Sequence, residues 1–334
     1  MKSRVILIVS LSLIVLAAAN LSHSHAQKAN EPAAGSGAPP LTNPLKVALL
    51  KWYKANTVPT TFATGTNPEG VAFDGENIWV ANFGAGSVTK LCASDGALVG
   101  TFKVGGAPFG VTFDGADIWV SDIGNSVVKL RASNGAVLGT FTVGAAPVWM
   151  TFDGANIWVP VPQTQGNGAV VKLRASDGKN LGQSPVGSGP IAAAFDGQSV
   201  WVTNYGSNNV TKVRASDGAV LGTFAVGSNP LGIAFDGTSM WVVNRGDDTV
   251  TKLRASDGAV LGTFPVTSFS PYGVAFDGAD IWVSGALAIT ELRASDGATI
   301  GSFSERSAIN GTGLAFDGAH VWVAAYDFNI LAKM

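Results

Sequence analysis

The 334-residue sequence has few of the side chains on which nucleophilic and redox enzymes depend. It contains one cysteine, Cys92, and three histidines. A single cysteine excludes a disulfide within the chain. His23 and His25 lie in an N-terminal segment that we expect to be removed, and His320 lies in a predicted turn. The sequence therefore gives little support to a Ser-His-Asp arrangement or to histidine-dependent chemistry.

Charge is also scarce: charged residues make up 13% of the chain, and the formal net charge is −2. Loss of Lys2 and Arg4 with the N-terminal segment would change the net charge to −4. Proteins that bind nucleic acid need a stripe of basic residues to neutralise phosphates, and a negative net charge does not favour such a stripe. We therefore expect no nucleic-acid partner and no attraction to an anionic membrane surface.

The sequence has no hydrophobic run as long as a typical membrane span. The apolar run Val5–Ala19 is shorter than the roughly 20 residues of a transmembrane helix. It follows a positively charged start and precedes Ser24-His25-Ala26, a small-x-small cleavage sequence. We interpret residues 1–26 as a signal peptide cleaved near Ala26, which predicts a secreted or periplasmic protein with no membrane span after cleavage. Retention of the run as an anchor is the alternative.

What the sequence has in abundance is one repeated unit. Phe-Asp-Gly recurs seven times at intervals of 39 to 43 residues, and a tryptophan follows each aspartate five positions later. A fixed period of this length indicates one supersecondary unit stacked many times. The aspartates are Asp74, Asp114, Asp153, Asp196, Asp236, Asp277 and Asp317, and the tryptophans are Trp79, Trp119, Trp158, Trp201, Trp241, Trp282 and Trp322.

Each unit contains four short strand signals separated by turns. In the fourth unit they are Ala193–Phe195, Val200–Thr203, Val210–Arg214 and Leu221–Val226. Asp-Gly pairs between these signals favour hairpins, because glycine accepts the positive φ that tight turns require. The pattern predicts an all-β fold over residues 57–334, a seven-bladed β-propeller of four-stranded antiparallel blades.

The two ends of the repeat are offset. Leu331–Met334 matches the third strand of a unit, whereas Thr61–Gly65 matches the fourth strand. This offset predicts that one N-terminal strand and three C-terminal strands close the last blade, which removes exposed sheet edges.

Two short segments lie between the signal peptide and the propeller. Residues 27–42 are rich in Pro, Ala, Gly and Ser and should form a flexible linker. Residues 43–56 begin with Asn43 and Pro44, a favourable N-cap and first position, and predict a short helix that packs on the propeller. A partner-binding or channel-capping role for this helix is the alternative.

The repeat Pro-x-Gly-Val-Ala-Phe-Asp-Gly-x-x-Ile-Trp-Val resembles that of secreted bacterial YVTN/NHL-type β-propellers, over residues 57–334. The resemblance implies the architecture and, for most such proteins, a binding or scaffold role. Virginiamycin B lyase-like proteins share the seven-bladed fold. That resemblance would imply catalytic histidines and a metal, but no such histidines are apparent here. Gluconolactonase-type propellers hold a cation with Glu, Asn and Asp but have six blades.

Candidate binding residues are those that depart from the repeat on the channel face. The position after the repeat's proline forms a mostly apolar ring, and Trp149 replaces a small residue beside it. This arrangement predicts a shallow apolar pocket edged by polar groups; the alternative is that these side chains only plug the channel. The candidates are Glu69, Phe109, Trp149, Gln163, Tyr205, Arg245, Tyr272 and Tyr326.

Four oxygen-bearing side chains, Glu69, Asp122, Asn204 and Asn244, could hold calcium or another divalent cation if they converged. Asn and Asp after a strand more often form turns with their own backbone, so we expect no cofactor.

Taken together, the residues favour a monomeric, secreted, non-catalytic propeller that recognises a protein, peptide or glycan partner on its channel face. The alternative is a metal-dependent hydrolase, lactonase or lyase that uses the Glu/Asp/Asn ring. Whether the protein has any catalytic activity stays open at this stage.

Overall fold

The computed structural model describes residues 60–162, 166–303 and 310–334, and these residues form seven four-stranded antiparallel sheets. Each sheet corresponds to one repeat unit, so the predicted seven-bladed β-propeller is confirmed. The predicted signal peptide (1–26), linker (27–42) and helix (43–56), and the candidate Gln163, lie outside the described residues. None of the described residues forms a helix long and apolar enough to cross a membrane.

The first described strand, β1 (Thr60–Ala63), belongs to the last blade, and blades one to six follow it in order along the chain. Blade one contains β2 (Pro68–Phe73), β3 (Asn77–Asn82), β4 (Ser87–Cys92) and β5 (Leu98–Lys103). Blade two contains β6 (Pro108–Phe113), β7 (Asp117–Asp122), β8 (Ser126–Arg131) and β9 (Val137–Thr142). Blade three contains β10 (Thr151–Phe152), β11 (Asn156–Val161), β12 (Ala169–Arg174) and β13 (Asn180–Pro185).

The second half of the propeller repeats this plan. Blade four contains β14 (Pro190–Phe195), β15 (Ser199–Asn204), β16 (Asn209–Arg214) and β17 (Val220–Ala225). Blade five contains β18 (Pro230–Phe235), β19 (Ser239–Asn244), β20 (Thr249–Arg254) and β21 (Val260–Pro265). Blade six contains β22 (Val274–Phe276), β23 (Asp280–Val283), β24 (Ile289–Arg293) and β25 (Thr299–Phe303). Short 3₁₀ turns follow the second strands of blades one and seven, at Phe83–Ala85 and Tyr326–Phe328.

Blade seven is built from both ends of the described chain. It contains β26 (Gly311–Phe316), β27 (Val321–Ala325) and β28 (Ile330–Lys333), and β1 pairs with β28 as its outer strand. Phe62 of β1 packs against Trp322 of β27, with ring centres 5.5 Å apart. The predicted closure by one N-terminal strand and three C-terminal strands is therefore confirmed.

The inner strands begin earlier than the sequence predicted. β14 starts at Pro190 rather than Ala193, because Pro190 pairs with Asn204 before an irregularity, after which Ala193 pairs with Val202. The same irregularity recurs in blades one, two, five and seven. It lies at the small-residue position of the repeat, where inner strands of adjacent blades come close together.

The core lies between blades rather than within them. Trp79 of blade one, for example, packs with Val111 and Ile118 of blade two. Six of the seven repeat tryptophans are completely buried, and Trp282 is 5% exposed. An aromatic side chain buries about 150–250 Å², so these residues account for much of the interblade contact.

The Phe-Asp-Gly corners explain why the aspartate recurs. In blade five, one carboxylate oxygen of Asp236 accepts the backbone N–H groups of Thr238 and Ser239, and the other accepts the indole N–H of Trp241 at 2.7 Å. Burial would raise the pKa of Asp236, but these hydrogen bonds outweigh it and the pKa is lowered. The turn was predicted from the sequence, whereas the bond to the indole was not. It recurs in all seven blades at 2.7–2.8 Å.

A lysine on the third strand covers the tryptophan in six blades. Its Nζ lies 4.9–5.1 Å from the ring centre and donates a hydrogen bond of 2.6–2.8 Å to an alanine carbonyl in the next blade. We call this arrangement the lysine clamp, because it joins each blade to its neighbour. The clamp residues are Lys90, Lys129, Lys172, Lys212, Lys252 and Lys333.

Candidate functional site at the channel mouth

The inner strands start at the channel mouth, opposite the Phe-Asp-Gly corners. Here the blades approach so closely that a Cβ at Gly110 would lie 2.6 Å from the carbonyl oxygen of Val148. Blade three carries Trp149 at this position. The Trp149 N–H donates to the Ile191 carbonyl at 3.1 Å, and its own carbonyl accepts from Ala193 at 3.1 Å. The backbone of blade three therefore pairs with blade four instead of forming a full inner strand, which makes room for the indole.

Trp149 reaches across the channel. Its ring centre lies 5.6 Å from Phe109 of blade two and 5.0 Å from Tyr272 of blade six, with the latter pair perpendicular. Phe83 extends the row, 6.2 Å from Phe109. We call Phe83, Phe109, Trp149 and Tyr272 the aromatic cluster. Because blades three and six lie nearly opposite each other, the cluster bridges the channel mouth.

A cavity of about 150 Å³ lies along the channel next to Trp149. It is lined mainly by apolar residues of the inner strands, among them Val111, Met150, Ile233 and Leu314. The aromatic cluster thus lies next to a small cavity that is lined by apolar side chains and by polar backbone atoms of the inner strands.

Glu69 is the buried acid of this site. It is 5% exposed, and its Oε2 atom has no hydrogen-bond partner among the described residues. Burial raises the pKa of Glu69 to about 8, although a hydrogen bond with Tyr272 lowers it in part. Burial, and then the charge of Glu69, raise the pKa of Tyr272. At neutral pH the Glu69 carboxyl is therefore mostly protonated, and one of its oxygens can take a further polar partner.

Arg245 provides an exposed cation at the edge of the cluster. Its guanidinium lies 5.7 Å from the Tyr272 ring centre, and its Nε donates to Ser270 Oγ at 2.8 Å. The Ser270 N–H in turn donates to Asp248 at 2.8 Å. These contacts orient the guanidinium beside the aromatic rings while leaving it open to solvent. An arginine that is oriented by such contacts can form an ion pair with a carboxylate.

The structure brings together six of the eight predicted binding residues. Glu69, Phe109, Trp149, Arg245 and Tyr272 are linked by the contacts above. Tyr326 lies close enough that the Glu69 charge, after burial, raises its pKa. Tyr205 lies outside the cluster, on the turn after β15, and is 36% exposed. Gln163 is outside the described residues.

Sequence reasoning missed Phe83, although a signal was present. The residue after the second strand is Phe83, Ile123, Tyr205, Arg245 or Tyr326 in five blades, and this variability resembles that of the ring after the proline. The contributions of Ser270 and Asp248 depend on loop geometry, which the sequence did not reveal.

The side chains of the predicted metal quartet make hydrogen bonds within the protein. Asn204 and Asn244 are fully buried, and their Nδ2 atoms donate to side chains on the third strands of their own blades. Asp122 accepts backbone N–H groups of Ala107 and Gly124 at 2.8 and 3.2 Å. The two amides thus bond with the third strands of their own blades, Asp122 bonds with two backbone N–H groups, and Glu69 bonds with Tyr272. Cation binding by the four side chains stays a prediction.

One group of carboxylates within the described ranges does meet the distances of a metal site. Its members are Asp277, Asp280 and Glu291 of blade six, whose ligand oxygens lie within 4.8 Å of one another. This group lies at the corner end of the blade, away from the channel mouth. His320 is also at that end, where its Nδ1 lies 3.5 Å from Asp317 Oδ2.

Known structures share this architecture at low sequence identity. Virginiamycin B lyase from Staphylococcus aureus superposes with a TM-score of 0.70 and 18% identity, covering 83% of this chain and 98% of that chain. A streptogramin B lyase gives 0.69 and 20%, covering 83% and 96%. Hydrazine synthase of Kuenenia stuttgartiensis gives 0.70 and 18%, covering 84% and 97%.

These similarities establish the propeller fold, and the resemblance to propeller repeat families is supported at that level. No family model matches the chain. No curated protein matches it either.

Proposed function

We propose that this protein is a binding propeller without a catalytic role, and that the aromatic cluster recognises a protein, peptide or glycan partner. The observation that carries the proposal is the buried Glu69 oxygen, which has no hydrogen-bond partner among the residues that the structure describes. A buried polar atom that lacks a partner costs free energy, which a ligand's donor or acceptor would recover on binding.

The surrounding groups indicate what such a partner presents. The aromatic cluster favours an apolar or aromatic group, and the exposed Arg245 favours a carboxylate beside it. Because Glu69 is mostly protonated near neutral pH, it does not repel that carboxylate. A peptide segment with an apolar side chain next to an acidic group fits these features best.

Substitutions that restore the residue found in other blades test this proposal. A random peptide library is panned on the immobilised protein, and the selected peptides are measured by calorimetry against Trp149→Gly, which restores the residue that several other blades carry. We expect at least a tenfold loss of affinity because the indole of the aromatic cluster is removed. Cys92→Arg is the matched control, since it restores a repeat residue at the opposite end. Equal binding to both variants would refute the proposed site.

A second candidate function is acid–base catalysis by Glu69. A carboxyl with a pKa of about 8 beside a tyrosine has the properties of a general acid. The similar structures include a catalytically inactive histidine-to-alanine virginiamycin B lyase with quinupristin. Quinupristin is therefore the probe: we expect no product by liquid chromatography and mass spectrometry. A product that disappears in Glu69→Gln would favour this candidate over the first.

A further inference from the structure

Glu69 is the one ionisable residue on the seven inner strands, which are β2, β6, β10, β14, β18, β22 and β26. The backbone beside it is held from both sides. Thr312 Oγ1 of blade seven donates to the Pro68 carbonyl at 2.9 Å, and a Cβ at Gly70 would lie 2.5 Å from the Phe109 carbonyl oxygen of blade two. This packing keeps the Glu69 carboxyl at the channel mouth, where the residue is 5% exposed.

The titratable groups that face Glu69 come from loops rather than from the strands beside it. The neighbouring strands β3, β6, β26 and β27 carry no ionisable side chain. Tyr272 forms a hydrogen bond with Glu69, and burial together with the Glu69 charge raises the pKa of Tyr272 and of Tyr326. The charge of Arg245 lowers the pKa of Tyr272 in part, and the charge of Asp327 raises that of Tyr326. Both tyrosines therefore remain protonated at neutral pH.

The Oε2 atom of Glu69 is a hydrogen-bond donor at neutral pH. Because Oε2 has no partner among the residues that the structure describes, the protonated phenol of Tyr272 donates to the other carboxyl oxygen. Burial raises the pKa of Glu69 to about 8, so the carboxyl keeps its proton below that pH. A neutral carboxyl has one C=O acceptor and one O–H donor. The C=O accepts from Tyr272, and the O–H is therefore on Oε2.

A buried donor without a partner selects a ligand that brings an acceptor. An ammonium group cannot accept this hydrogen bond, and Arg245 would repel it, since the guanidinium carbon lies 5.7 Å from the Tyr272 ring centre. Carbonyl and carboxylate oxygens do accept, and a carboxylate is attracted by the arginine as well. Two carboxyl groups can lie side by side only when one of them is neutral, and Glu69 is the neutral one.

We propose, on the basis of the binding function proposed above, that Glu69 donates a hydrogen bond from Oε2 to a carbonyl or carboxylate oxygen of the ligand, and that the complex retains this proton. Glu69 is thus the residue that determines which polar group a ligand must present. Loss of the proton turns the donor into a buried carboxylate, which repels an acidic ligand and offers no hydrogen to a carbonyl. Affinity is therefore constant at low pH and falls by about tenfold for each pH unit well above pH 8.

The number of protons taken up on binding tests the proposal. Peptides are selected at pH 6, capped at both ends and chosen without His, Cys, Lys and Tyr, so that they do not titrate between pH 6 and pH 9. Calorimetry in two buffers of different ionisation heat gives both the affinity and the proton uptake. The wild-type protein is expected to lose about tenfold in affinity from pH 6 to pH 9 and to take up close to one proton per peptide at pH 9. Glu69→Gln should show neither effect, and Glu76→Gln, which changes an exposed acid at the corner of blade one, should show both.

An affinity that is independent of pH would overturn the proposal, and so would one that rises with pH, because a rise means that the ligand brings a donor to the ionised carboxylate. If Glu69→Gln does not fold, the proton uptake of the wild-type protein decides, and an uptake near zero at pH 9 overturns the proposal. Replacing the acidic residue of the peptide by alanine distinguishes the two acceptors. Loss of proton uptake assigns the acceptor to the side-chain carboxylate, and continued uptake assigns it to a backbone carbonyl; either result supports the proposal.

Trp149→Gly separates failure of this hydrogen bond from failure of the binding function. If the peptides bind Trp149→Gly as tightly as the wild-type protein, the binding site itself is wrong. If Trp149→Gly loses affinity while the wild-type protein takes up no proton, the site stands and only the hydrogen bond from Glu69 is wrong.

Discussion

The two ends of the inner strands use the same repeat in opposite ways. At the corner end, seven aspartates make the same bond to seven tryptophans, with distances that vary by only 0.1 Å. At the channel mouth, the seven residues that follow the first-strand proline, or Gly311 in blade seven, are all different. They are Glu69, Phe109, Val148, Ile191, Leu231, Tyr272 and Thr312.

We interpret this difference as a division between residues that stabilise the fold and residues that serve the proposed binding function. A hydrogen bond that is repeated in every blade stabilises the packing between blades, because every blade packs against its neighbours in the same way. A residue that occurs in one blade only, such as Glu69 or Trp149, is not required for the packing that all blades share. It makes its position in the ring chemically different from the other six. The corner end therefore stabilises the propeller, and the channel mouth carries the residues that differ from blade to blade.

The largest effect on stability is expected at the corner end. Trp119→Ala removes a fully buried side chain and should lower the free energy of unfolding by about 3–5 kcal/mol. Trp149→Gly at the mouth should cost less, because Trp149 is only partly buried and other blades carry glycine there. Urea denaturation of both variants measures the difference. Equal losses would mean that Trp149 belongs to the scaffold.

The pH dependence of stability should sharpen the comparison. The pKa of Glu69 is raised from 4.5 to about 8, so the folded protein binds this proton more tightly than the unfolded chain. The resulting stabilisation is complete below pH 4.5 and is lost as the pH rises to about 8, on the order of 3–5 kcal/mol in all. Glu69→Gln should remove this loss between pH 5 and pH 9, whereas Glu76→Gln should retain it.

Four of the corner aspartates depend on pH in the opposite direction. The pKa values of Asp74, Asp153, Asp236 and Asp317 are lowered, because their hydrogen bonds outweigh burial. Their contribution is present above their ordinary pKa of 3.8 and is lost on further acidification. A Glu69→Gln variant whose stability still fell between pH 5 and pH 9 by the wild-type amount would contradict the role given to Glu69.

The sequence predicted the blades and their closure because both depend on local, repeated signals. The sequence shows the Asp-Gly turns and the alternation of the strands directly. It also shows the offset of Thr61–Gly65 against Leu331–Met334. The lysine clamp was missed because it joins residues 42–46 positions apart in five blades, and 240 apart for Lys333 and Ala93, through a carbonyl group that no side-chain pattern encodes. Glu69 and Trp149 were singled out as departures from the repeat, but the contact of Trp149 with Tyr272 depends on the circular arrangement of blades.

The central claim is the proposal that the channel mouth binds a partner, and Arg245→Ala tests it most directly. Arg245 is exposed, so its loss should change the free energy of unfolding by no more than about 0.5 kcal/mol. The affinity for peptides selected on the wild-type protein should fall at least tenfold, with Arg131→Ala at the corner end as the matched control. Unchanged affinity in Arg245→Ala, or an equal loss in Arg131→Ala, would contradict the account.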